Sequence, residues 1–279
     1  MVKIITDSGA LFEDEAEVRK LGVTIVPLRI SINGKVYREK VDINTEDLLE
    51  RMAQSKDIPT SLPPTREFME KVYHRAIRES EEIIGIYTSS WLNPVTSVAR
   101  EASIPFLGRA RITIIDSEAT SLGLGIMVRE AARAAARGET LENIVRLVRG
   151  MIPYVYVVSF VENLKYLHRN RIISASQAIL GTMLGIKVFL TLENGRFIPL
   201  EKVQTEEQMA EKLFEFAAEF VNIEKLAVLQ CGFRDAAKML VEKLRTLSEG
   251  LEIPILSYNP SMLCYLGPKA ITLVVYEGE

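Results

Sequence analysis

Three times in its first half the chain runs from a short β-branched stretch through a polar turn into a helical pattern. The stretches are 2–5, 83–87 and 111–115, and the turns are Thr6-Asp7-Ser8-Gly9, Thr88-Ser89-Ser90 and Asp116-Ser117. Helical spacing then covers 13–21, the residues from Pro94 onward, and 121–137. Two residues can join antiparallel neighbours, but parallel ones need a crossover long enough to hold a helix. The alternation therefore predicts an α/β fold with a mostly parallel sheet flanked by helices. Ligands of such sheets sit beyond the strand C-termini, where all three polar turns fall.

The connecting segments fit this frame. Residues 24–32 read as one strand turned back through 35–37 by Asn33-Gly34, and Thr45 is placed to cap a helix reaching residue 54. Pro59-Thr60-Ser61-Leu62-Pro63-Pro64-Thr65 reads as a stiff loop, because proline lacks an N–H and pushes its predecessor toward extended geometry. A helix follows up to residue 80. Helices at 121–137 and 140–152 lead to a strand at 154–160, and from about residue 159 the pattern changes. Helical stretches at 164–167 and 174–184 precede a hairpin of 187–192 and 196–200 around Asn194-Gly195. A helix at 205–220, strands at 225–229 and 253–256 around a helix at 234–247, and a last strand at 270–276 complete the chain. The expectation is two α/β domains, 1–158 and 159–279, the second smaller and built on a mixed sheet.

The hydroxyl-rich loops 59–65 and 88–94 have two readings. Locally, Thr65 caps a helix and the other hydroxyls satisfy nearby backbone groups. Alternatively, both loops lie at one sheet edge and bind the oxygens of a small acidic group at helix N-termini.

Other function classes have weaker support. The net charge of −3 is spread along the chain, and the basic run 129–137 is spaced by alanines as on a helix face, so no nucleic-acid footprint is expected. The N-terminus lacks the apolar core of a secretory signal, and no apolar run is long enough to cross a bilayer, so the expected location is cytoplasmic. Cys231 and Cys264 show no metal-ligand or redox spacing, and no metal or cofactor is expected. His74 and His168 read as surface residues, and Gly123-Leu124-Gly125 lacks the third glycine of a dinucleotide loop. Asp7 and Asp116 stand at strand ends, where such residues commonly close turns.

The polar motifs in order are more specific than any one of them. Thr6-Asp7-Ser8, Pro59-Thr60-Ser61-x-Pro63, Thr88-Ser89-Ser90-x-Leu92, Asp116-Ser117 with Ser121-x-Gly123-x-Gly125, Leu164-x-x-Leu167, Arg171-Ile172, Gly195 with Pro199-Leu200-x-Lys202-Val203, and Gly267-Pro268 span nearly the full chain. In this ordered set the chain resembles the DegV family of bacterial lipid-binding proteins. The resemblance implies a non-catalytic carrier for one long-chain fatty acid, with the tail in an apolar tunnel between the domains and the carboxylate on loop hydroxyls. It places Thr60, Ser61, Ser90, Trp91, Asn93 and Tyr265 at the ligand and Arg171 and Gln204 toward a partner. Some relatives deliver the acyl chain to a fatty acid kinase. Burial of the tail gains roughly 0.8 kcal/mol per methylene, so hydroxyls need only orient the headgroup.

Several positions depart from the family pattern. Leu-Ser-Gly-Thr becomes Leu92-Asn93-Pro94-Val95, the histidine before Gly-Pro becomes Tyr265, the arginine after Lys-Val becomes Gln204, and the glycine before Arg171 becomes Asn170. Gln204 and Tyr265 remove charge expected at a kinase interface. Two alternatives stay open: a carrier for a different amphiphilic acid, and a small-molecule enzyme using Asp7, Ser61 and Asp116.

Overall fold

The computed structural model describes residues 1–247 and 250–278; residues 248, 249 and 279, inside the domain expected at 159–279, lie outside the described residues. The first stretch of chain forms β1 (Lys3–Asp7), α1 (Glu15–Lys20), β2 (Thr24–Val26), β3 (Arg29–Ile32), β4 (Lys35–Arg38), α2 (Thr45–Ala53), β5 (Thr60–Leu62) and α3 (Arg66–Ala76). Next come β6 (Glu82–Tyr87), α4 (Val95–Ser103), β7 (Arg111–Asp116), α5 (Ser121–Ala136) and α6 (Leu141–Met151). The remainder is β8 (Val155–Val161), α7 (Leu164–Arg169), α8 (Ala175–Met183), β9 (Lys187–Glu193), β10 (Arg196–Val203), α9 (Glu206–Ala218), β11 (Ile223–Cys231), α10 (Arg234–Leu244), β12 (Ile255–Ser257), α11 (Pro260–Leu266) and β13 (Ala270–Glu277).

The chain divides into two compact units, one of Met1–Asn44 with Thr60–Pro153 and the other of Thr45–Pro59 with Tyr154–Glu279. The excursion of residues 45–59 into the second unit has no marker in the sequence. Its helix α2 begins at Thr45, whose hydroxyl donates to the Tyr258 carbonyl at 2.7 Å.

In the first unit, β2-β1-β6-β7 form a four-stranded sheet in which every pair is parallel. Its strands are short apolar runs because helices cover both faces, and a core of Ile5, Val26, Met69, Tyr73, Ile83, Tyr87, Val95 and Ala99 packs on one side. A second, three-stranded sheet has the order β4-β3-β5, all antiparallel. Two expectations are corrected here. The run 24–32 is two strands in different sheets, separated at Pro27, which cannot donate to a ladder. The loop expected over 59–65 begins as β5, whose Ser61 pairs with Ile30, and the proline stop takes effect only at Pro63.

The second unit holds a six-stranded mixed sheet, β10-β9-β8-β13-β11-β12, the wider of the two large sheets. Only its β11–β12 pair is parallel; the others are antiparallel. Phe160, Phe189, Leu213, Leu226, Leu240 and Leu273 belong to the core on one of its faces. Helix α11 is absent from the sequence reading, although Asn259-Pro260 is a reasonable start signal, with proline at the first helical position.

Candidate functional site

The expected polar edge of the parallel sheet exists, and backbone hydrogen bonds lace it together. The Asp7 carboxylate accepts the Thr88 N–H at 2.7 Å, the Thr88 hydroxyl at 2.7 Å and the Gly9 N–H at 2.8 Å. A β-carbon at Gly9 would come within 2.3 Å of the Thr88 hydroxyl, so this approach requires glycine. Asp7 is completely buried, and burial raises its pKa despite the donors around it. Asp116 accepts from the Ser90 and Glu118 N–H groups, and the Ser117 hydroxyl donates to the Tyr87 carbonyl at 2.7 Å. The Ser89 N–H reaches the Ala119 carbonyl at 2.8 Å. Both acids are thus engaged in holding turns.

One buried acid escaped the sequence reading. Glu39 is 0% exposed and accepts the Ser8 hydroxyl at 2.5 Å, while Ser8 accepts the Leu28 N–H. Flanked by Arg38 and Lys40, it carries every sequence mark of a surface residue.

A second polar group lies where β5 meets the start of α4. Ser61 and Asn93 are both buried, and Asn93 Nδ2 donates to Ser61 Oγ at 3.0 Å. Asn93 Oδ1 accepts the Val95 N–H at 3.1 Å, doing the work of a cap that Pro94 cannot do. The Asn93 N–H in turn donates to the Ser89 carbonyl at 2.9 Å. The two hydroxyl-rich stretches are therefore joined through Ser61 and Asn93. Thr60, adjacent on β5, is half-buried and points to the opposite face of that sheet. Ser90 and Trp91 are exposed, Trp91 to 60%.

The other selected residues lie in the second unit. Tyr265 is buried on α11, whose described residues are all buried. Arg171 and Gln204 are exposed, and the Gln204 N–H donates to Gln208 Oε1 at 3.1 Å. Arg171 takes the left-handed conformation, at φ 59°, while Asn170 is at φ −88°. Asn170 instead donates through Nδ2 to the Tyr166 carbonyl at 2.9 Å and the Cys264 carbonyl at 2.8 Å, tying the end of α7 to α11.

Cys231 and Cys264 are both free thiols, and burial pushes the Cys231 thiol up to about 11. Thr65 caps α3 as expected, accepting the Phe68 N–H at 3.2 Å. His74 and His168 are exposed. Among the described residues, no group of three or more His, Cys, Asp or Glu side chains is arranged to hold a metal ion, and no helix is long and apolar enough to cross a membrane.

Residues 1–278 match the model of a family described as "Uncharacterised protein, DegV family". A DegV domain-containing protein of Halalkalibacterium halodurans is 26% identical over 279 residues, covering 99% of this chain and 98% of that protein. Among solved structures, one described as the fatty acid binding of a DegV family protein from Thermus thermophilus is 27% identical with a TM-score of 0.84, covering 99% of each chain. A fatty acid binding DegV family protein of Streptococcus agalactiae is 22% identical with a TM-score of 0.89, covering 100% of this chain and 99% of its own.

Proposed function

The chain belongs to the DegV family, and from that premise we propose that it binds one long-chain fatty acid and carries it without catalysing a reaction on it. The observation that carries the reading is the buried Ser61–Asn93 pair at the start of α4, a polar group without a charged side chain in it. Neutral donors suit a ligand whose affinity comes from its apolar part. A tail of some fourteen methylenes gains on the order of 10 kcal/mol on burial, and the headgroup contacts then set orientation. The likeness to a fatty acid binding relative from Thermus thermophilus supports the same reading.

The enzyme alternative has less support, because Asp7 and Asp116 spend their carboxylate oxygens on turn hydrogen bonds. A carrier for a different amphiphilic acid remains the second reading, favoured by Asn93 standing where the family pattern has serine. Organic extraction of the purified protein and mass spectrometry tests both. A stoichiometric fatty acid supports the first reading, a different acid the second, and extracts free of amphiphile count against both.

We further propose a cytoplasmic carrier whose coupling to a fatty acid kinase is weak. Gln204 offers neutral hydrogen bonds where arginine would grip a phosphate or carboxylate at two points. Tyr265 cannot carry positive charge near neutral pH as histidine can. Supplied to a bacterial fatty acid kinase, the loaded protein is expected to yield acyl phosphate more slowly than its Gln204→Arg, Tyr265→His variant. Equal rates would remove these two residues from the explanation.

A further inference from the structure

The hydrogen bonds at the start of α4 leave one group over. Thr96 is 1% exposed, and its Oγ1 has no hydrogen-bond partner. A buried helical threonine ordinarily satisfies itself by donating to the carbonyl four residues back, as Thr182 does to Ala178 at 2.7 Å. Thr96 is the second residue of α4, so the helix offers it no carbonyl four residues back, and leaving a buried hydroxyl unpaired is costly. Packing does not require the hydroxyl, since Val95, Ala99 and Ala102 supply the face of α4 that enters the core.

Asn93, three residues earlier, is fixed in orientation. Its Oδ1 is held by the Val95 N–H, so its amide cannot turn over, and its Nδ2 occupies a lone pair of Ser61 Oγ. Ser61 must therefore aim its own proton away from Asn93. Ser61, tied to Asn93, and Thr96, in the first turn of α4, each have an O–H to give, and the carboxylate of a fatty acid is an acceptor-only group.

We propose that Thr96 is a headgroup residue of this protein, donating with Ser61 to the ligand carboxylate, and that Asn93 is a positioning residue that makes Ser61 a donor. The proposal rests on the fatty-acid reading above.

The test is calorimetric titration of delipidated protein with hexadecanoate and with hexadecanol, for wild type, Thr96→Val and Thr96→Ser, with thermal unfolding followed for each. Thr96→Val is expected to bind hexadecanoate at least about tenfold more weakly, the equivalent of one hydrogen bond to a charged group, with hexadecanol unaffected. Thr96→Ser, which keeps the hydroxyl, should stay close to wild type. Unchanged hexadecanoate affinity in Thr96→Val overturns the proposal and leaves the fatty-acid reading standing. An equal loss for both ligands also overturns it, since that marks a packing role. Failure of the wild type to bind hexadecanoate overturns the fatty-acid reading and the proposal with it.

Discussion

Asp7 and Ser61 are both buried polar residues in short strands of the first unit, yet they are used in opposite ways. Asp7 accepts three hydrogen bonds from its immediate surroundings, and its ring of donors is closed. Ser61 accepts from Asn93 and still has a proton to give. An aspartate at a sheet edge looks more like chemistry than a serine does, but a carboxylate whose oxygens are all engaged has little left for a ligand. The difference teaches that the state of satisfaction of a buried group, more than its residue type, separates scaffold from site.

The contrast is broken most severely at Asp7. Asp7→Ala strands the Thr88 N–H, the Thr88 hydroxyl and the Gly9 N–H together, and urea denaturation should show a loss of about 3 kcal/mol or more. The folded fraction should bind hexadecanoate within about twofold of wild type, and a loss of affinity without a loss of stability would reverse the two roles. The pH dependence has a definite sign. Burial raises the folded pKa of Asp7 above 3.8, so its contribution to stability is whole below that value and falls away as pH rises through the raised one. Asp7→Asn should remove this downward slope from a stability profile taken upward from pH 4.

A smaller effect is expected at β5. Ser61→Ala should cost roughly 1.5 to 3 kcal/mol of hexadecanoate affinity with little change in the unfolding midpoint. Thr60→Val, on the other face of the strand, should cost less than half as much. Equal losses for the two would mean that the face of β5 does not decide contact with the headgroup.

The smallest effect concerns Trp91, the single tryptophan. At 60% exposure it should emit as a largely solvated indole, and hexadecanoate should produce a slight blue shift as the neighbouring Asn93 turn settles. A large shift would place the indole on the ligand itself.

Much of this was legible in the sequence because it follows periods along the chain. The alternation of β-branched runs with helical spacing locates β1, β6 and β7 of the parallel sheet but takes β2 as part of one hairpin strand over 24–32, and Asn33-Gly34 marks a hairpin whose two turn residues sit at φ 53° and 71°. What escaped depends on partners across the chain. A strand of three residues, β5, is too short to show a period, and it exists because β3 lies beside it. Glu39 is buried through a serine 31 residues away, which its charged neighbours conceal. Thr96 reads as an ordinary helix residue until its missing partner is noticed. Asn93 was legible as a departure from a pattern, but not as a cap.

The hydrogen bond from Thr45 to the Tyr258 carbonyl spans 213 residues and anchors α2 to the segment that leads into α11. On a ribosome adding about 5–20 residues per second, α2 emerges on the order of 10–40 s before that anchor is made. Throughout that interval Leu48 and Met52, both buried in the finished protein, lack their final cover. The first unit meanwhile can complete its sheet around a helix that belongs elsewhere, holding residues 45–59 as a waiting loop. Birth order thus makes the short α2 one of the last pieces to settle, and a nascent chain stalled before residue 258 would present it to any chaperone or protease that arrives first.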